Sequence, residues 1–159
     1  MKKSAYFDNY WGSGWPDLQD LEPYFLAPKG QEWFYKGGND GASLSALGLY
    51  GTEHLEPKTG RVDVRLYMSG NPQLGVCLTY DKWDGRDQRK YTYISSGDMS
   101  RLRESVRTLH DESIPVGLFI PFAEAWKAVK EFVETDGELP ESIAWVRIGD
   151  LPPGTLPAS

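Results

Sequence analysis

Residue types that do catalytic or metal chemistry are sparse in this chain of 159 residues. Its two histidines, His54 and His110, each sit in a polar, turn-like stretch with no second His or Cys at ligand spacing. Cys77 is the sole cysteine, which rules out an internal disulfide and a thiolate zinc centre. Gly12-Ser13-Gly14 lacks the spacing of a nucleophile elbow. Gly37-Gly38-Asn39-Asp40-Gly41 has the glycines of a phosphate loop without its Lys and Ser/Thr, and reads as a turn. No motif points to a cofactor.

Acidic residues are the remaining candidates. Asp81, Asp84 and Asp87 recur around one loop, with Lys82, Arg86 and Arg89 between them. Three readings stand: a divalent-cation site, a solvated turn, or a protein-recognition loop. The glycine and distal glutamate of a calcium hand are missing. Trp83, an aromatic beside acids at a hairpin tip, has the composition of a binding hot spot; equally, it could cap the core. A small enzyme could use a cryptic acid pair such as Asp81 with Asp84. The aromatic set Tyr6, Phe7, Tyr10, Trp11 and Trp15 is either a satellite core or an exposed patch. Its neighbours Asp8, Asp17 and Asp20 disfavour stacking on nucleic-acid bases.

The elements that must hold these residues are clearest in the middle of the chain. Over Arg61–Ser69, Val62, Val64, Leu66 and Met68 alternate with Asp63, Arg65 and Tyr67, the period of a strand with one buried face. Val76–Trp83 and Arg89–Ser95 follow as strands, joined through an Asp84-Gly85 turn lengthened by Arg86-Asp87-Gln88. Together they make an antiparallel meander. Residues 43–50 and Gln31–Lys36 read as further strands, the latter with Trp33 and Tyr35 on one face. Trp11–Pro16 is expected to be a loop, and Asp17 to cap a short helix through Pro23. Gly97-Asp98 offers a helix start for Met99, Leu102 and Val106, although 105–110 fits a strand equally well. Phe122, Ala125, Trp126, Val129, Phe132 and Val133 form one apolar stripe, so a helix is expected over Pro121–Thr135 with Gly137 as its left-handed cap. Ile143–Ile148 reads as a closing strand, and the proline-rich tail should lie over the body. The expectation is a single α+β domain over 1–159: an antiparallel, meander-like sheet with one main amphipathic helix packed on it, plus short helices.

Net charge is −6 and no basic stripe exists, which argues against nucleic acid as a partner. Aromatics make up 13% of the chain, too many for a disordered polymer. No apolar run approaches a membrane span, and the Met1–Ser4 start is not followed by an apolar signal core. A cytoplasmic location is expected.

Several segments taken together carry a resemblance. They are Ile114–Pro121; the following helix with Ala125, Ala128 and Phe132; and Gly137–Trp145 with Gly137, Pro140 and Trp145. Asn71–Val76 and Gly97-Asp98 add to it. The set resembles a bacterial immunity-protein family encoded beside polymorphic toxins, especially deaminase-type toxins, the first of the numbered immunity families. The likeness covers about residues 61–157; residues 1–60 carry no family hallmark. It implies a non-enzymatic inhibitor that binds a cognate toxin domain one to one, often over its active site, and it supplies no contact residues. Asp81, Trp83, Asp84, Asp87, Tyr91 and Tyr93 are the expected contacts, with acids matching a basic nucleic-acid groove and aromatics as anchors. A binding module without a toxin partner is the alternative.

Overall fold

The computed structural model describes residues 1–7, 10–29, 32–33 and 40–156, with backbone alone at Tyr10 and Trp11. In chain order the elements are β1 (Lys2–Phe7), β2 (Tyr10–Ser13), α1 (Leu18–Leu26), β3 (Gly41–Leu47), β4 (Val62–Asn71), β5 (Gly75–Asp84), β6 (Arg89–Ser95), β7 (Ser105–Arg107), β8 (Ser113–Pro115), β9 (Phe119–Ile120), α2 (Phe122–Glu134) and β10 (Trp145–Arg147). The main sheet runs β10-β6-β5-β4-β3-β1-β2 with every pairing antiparallel, so the fold is α+β. The β4-β5-β6 meander follows the alternation of the sequence, and β6 has the expected bounds, Arg89–Ser95.

One face of this sheet is covered by the helices. Val62, Val64, Leu66 and Met68 of β4 and Val76, Leu78 and Tyr80 of β5 point to it and are buried. Ala125, Ala128, Val129 and Phe132 of α2 meet them. Helix α1 packs on α2, with the rings of Phe25 and Trp126 5.5 Å apart. Burying side chains of this size stabilises a fold by about 1.5–3 kcal/mol each. That is why the helix stripe and the strand alternation are both strong in the sequence.

Two backbone approaches lock the layers. Gly70 lies under the Trp33 indole, and a Cβ there would fall 2.1 Å from the ring. Gly75, at φ +110°, would place a Cβ 1.9 Å from the Ile120 carbonyl oxygen. That glycine lets β9 share the edge of β5 with β6: Val76 and Cys77 pair with β9, while Thr79–Asp84 pair with β6. At the junction, the fully buried Ser95 hydroxyl accepts from Leu78 N–H (2.9 Å) and donates to Leu118 C=O (2.6 Å).

Several expectations are corrected. Trp11–Ser13 of the expected loop belong to the edge strand β2, paired with β1, in which Gly12 takes a φ of 158°. Pro23 lies inside α1 rather than ending it. Met99–Arg101 is a single 3-10 turn, with the Asp98 side chain accepting from Ser100 N–H, and Ser105–Arg107 is strand. At the end of α2 both Asp136 (φ 55°) and the expected cap Gly137 (φ 104°) have positive φ, and the Gly137 N–H reaches Phe132 C=O at 2.9 Å. The expected strand over 31–36 and turn over 37–41 lie largely outside the described residues. Of them, Gly41 opens β3, and Trp33 is buried with its indole donating to Asp40 C=O.

Candidate functional site

Among the described residues, no α-helix lies on the second face of the sheet. Its residues line up across the strands in three rows. One runs Tyr6, Ser43, Tyr67, Thr79; the next Ser4, Ser45, Arg65, Asp81, Thr92; the third Lys2, Leu47, Asp63, Trp83, Lys90. At one corner this face is closed by a second small core, in which Cys77, Ile94, Leu118 and Phe119 are packed by Val106, Ile114, Leu151 and Leu156. The tail therefore does lie on the body there. Burial pushes the Cys77 thiol up to about 12, so it is no nucleophile at neutral pH. The rest of the face is open. Tyr6 and Tyr67 are 41% and 39% exposed.

Register divides the expected contact residues. Asp81 and Trp83 project from the open face. Tyr91 and Tyr93 pair with Lys82 and Tyr80 and so project from the helix-side face. Asp84 is also on the helix side and only 5% exposed. It anchors its own loop: its carboxylate accepts from Arg86 N–H (3.0 Å), Arg86 Nε (3.0 Å) and Arg86 Nη2 (2.8 Å). The Arg86 side chain holds the Asp84 carboxyl down to about 2. Asp87 is exposed at the loop. Asp81 and Asp84 thus lie on opposite sides of the sheet and cannot act together on one substrate atom. No group of three His, Cys, Asp or Glu fit to hold a metal occurs among the described residues. His54 and His110 are both exposed.

Trp83 is half-buried, and its indole donates to Pro57 C=O at 2.7 Å. It is a fixed ledge at the rim of the open face rather than a plug in the main core. The N-terminal aromatics divide in the same way. Phe7 is buried under the helices, Trp15 lies against Phe132 (5.2 Å between rings), and Tyr6 is exposed on the open face.

Arg65 and Tyr67 were not among the expected contacts, yet they occupy the centre of the open face. Arg65 Nε donates to Ser45 Oγ at 2.9 Å, and its Nη1 donates to the Tyr67 hydroxyl. The guanidinium lies 5.2 Å from the Tyr67 ring centre. Its cross-strand neighbour Asp81 accepts instead from the Thr92 hydroxyl, at 2.5 Å. The signal was present in β4: the alternation that buries Val64, Leu66 and Met68 necessarily presents Arg65 and Tyr67 on the other side.

On the helix side, beyond α2, Tyr50 stands out. It is 49% exposed and left-handed (φ 60°). Its hydroxyl donates to Glu138 Oε1 (2.6 Å) and accepts from Lys82 Nζ (3.0 Å), and Arg86 lies over its ring. Burial raises the Tyr50 phenol, with the Glu138 hydrogen bond adding to the shift.

Comparison with known proteins gives one match. Residues 46–147, more than half of the chain, match the family model described as Immunity protein Imm1. The matched span includes β4, β5 and β6, the strands that carry Arg65, Asp81 and Trp83. No curated protein and no solved structure matches.

Proposed function

Because the chain belongs to the Imm1 immunity-protein family, we propose that it neutralises one cognate bacterial toxin domain by binding it one to one, in the cytoplasm. We further propose that this toxin is a nucleic-acid deaminase whose substrate site the bound chain covers. The family match carries the reading. An inhibitor of this kind acts by occupying a surface, so it needs complementary shape and charge rather than reacting groups.

Charge supports the choice of toxin. An enzyme acting on nucleic acid needs a basic surface to hold phosphates. A chain of net charge −6 is repelled by nucleic acid and attracted at long range to such an enzyme as a whole, whichever of its surfaces makes the contact. A cell competing with its neighbours would need the inhibitor where its own nucleic acid is exposed to the toxin. No described helix is long and apolar enough to cross a membrane.

Of the expected contacts, Asp81 and Trp83 are retained for the interface, with Asp87 at the adjoining loop. Asp84 belongs to the loop's own scaffold, and Tyr91 and Tyr93 serve the opposite side. The test is co-expression in a bacterium with the toxin domain encoded by the adjacent upstream gene. Growth restored by this chain, and not by an unrelated immunity protein, is the expected outcome. Unrelieved killing at equal expression would overturn the proposal.

A further inference from the structure

We infer that the open sheet face centred on Arg65 and Tyr67 is the surface that seats the toxin, and that the toxin presents a carboxylate to Arg65. The inference rests on the immunity reading above and adds which surface does the work and what chemistry it meets.

Three observations converge on this face. The first is charge. Lys2, Arg61, Arg65 and Lys90 lie on it against Asp63 and Asp81, with Asp87 at the adjoining loop: four bases to three acids on a chain of −6. Asp63 is already paired with Arg61 at 3.0 Å. Arg65 forms no ion pair among the described residues, although it has a carboxylate directly across the strand. An acidic partner group therefore meets a cation whose nearest carboxylate, Asp81, is engaged by the Thr92 hydroxyl.

The second is preorganisation. Ser45 and Tyr67 each take one N–H of the Arg65 guanidinium and fix its plane, leaving its other N–H groups without a described partner. A guanidinium held this way loses little freedom on meeting a carboxylate and offers it a two-pronged hydrogen bond. A solvated surface arginine would not normally be tied at two points with its terminal donors left over.

The third is composition. Tyr6, Tyr67 and Trp83 are set among Ser43, Ser45, Thr79 and Thr92, and no glutamate stands in the three rows. Interface cores are enriched in Tyr, Trp and Arg and depleted in Glu, and Tyr and Trp add contact area at low entropic cost. The same features could suit single-stranded nucleic acid. However, one surplus positive charge on a net-negative molecule is too few to offset phosphate repulsion.

The experiment measures toxin-domain affinity for the full chain and four variants: Arg65→Glu, Arg65→Gln, Tyr67→Ser and the helix-face control Glu131→Lys/Glu134→Lys. Circular dichroism and melting temperature confirm that each is folded. Arg65→Glu should weaken binding roughly 100-fold, and Arg65→Gln and Tyr67→Ser about 30-fold, the range of a central hot spot. The control should change it less than about threefold. Undiminished binding by all three open-face variants would overturn the inference while leaving the immunity reading intact. So would a control that loses binding. Wild-type chain that forms a dimer dispersed by Arg65→Glu, or that captures a single-stranded oligonucleotide through Arg65, would assign the face to another occupant. Wild-type chain that fails to bind the toxin domain would overturn the functional proposal itself.

Discussion

The two sides of the sheet differ in what their charges and aromatics do. On the helix side, residues 17–28 and 121–142 hold nine acids and two bases, a net of −7; the rest of the chain has 14 acids and 15 bases, a net of +1. The acidity of the protein is therefore a property of the helix layer. Its inner surface is apolar and buried, and its acids lie on the outer side of the helices and on the segments that flank them. The open face is nearly the reverse. It buries little, is slightly positive, and presents aromatics and a tethered arginine with no described α-helix over them. Whole-chain charge and local chemistry thus carry different information. The −6 describes how the molecule repels nucleic acid at a distance, and the open face describes what it could hold in contact.

Perturbing the helix layer should unfold the protein, and perturbing the open face should not. Phe132→Ala, at a fully buried position of α2, should cost about 3–5 kcal/mol in denaturant unfolding. Ser95→Ala removes the hydroxyl that joins β5 to Leu118, and should cost about 1–3 kcal/mol because a buried N–H and C=O lose their partner. Asp84 gives a smaller, pH-dependent effect. Its carboxyl is held at about 2 in the fold against ~3.9 in an unfolded chain. Its contribution is therefore complete above about pH 4 and disappears as pH falls through about 2. Asp84→Asn should flatten the acid side of the stability profile in that window. Tyr67→Ser should leave stability within about 0.5 kcal/mol, since Tyr67 is exposed and its contact is with the equally exposed Arg65 side chain. A large loss of stability in Tyr67→Ser would erase the contrast between the two faces.

The same contrast explains what could be read beforehand. The β4-β5-β6 meander and α2 were legible because each buries one face, and burial imposes a period on the sequence. β2 was not, because an edge strand containing Gly12 needs no apolar alternation. The contact set was gathered by proximity along the hairpin, where strand parity was the better guide. Asp84 pairs with Arg89 around the loop, which puts Lys82 opposite Tyr91 and Tyr80 opposite Tyr93, away from Asp81 and Trp83. That register follows from loop length, which the sequence bounds but does not set. Arg65 was visible only as the polar half of a strand whose apolar half drew attention. Its tether to Ser45 depends on β3 lying beside β4, a non-local pairing without local signal.

The central claim, neutralisation by occupation of the toxin, is tested most directly by titrating purified chain into a fixed concentration of active toxin domain. Its activity on a nucleic-acid substrate is then followed. The account predicts a linear fall to zero at one equivalent, with Arg65→Glu shifting the curve far to the right. Full residual activity at several equivalents of folded wild-type chain would contradict it.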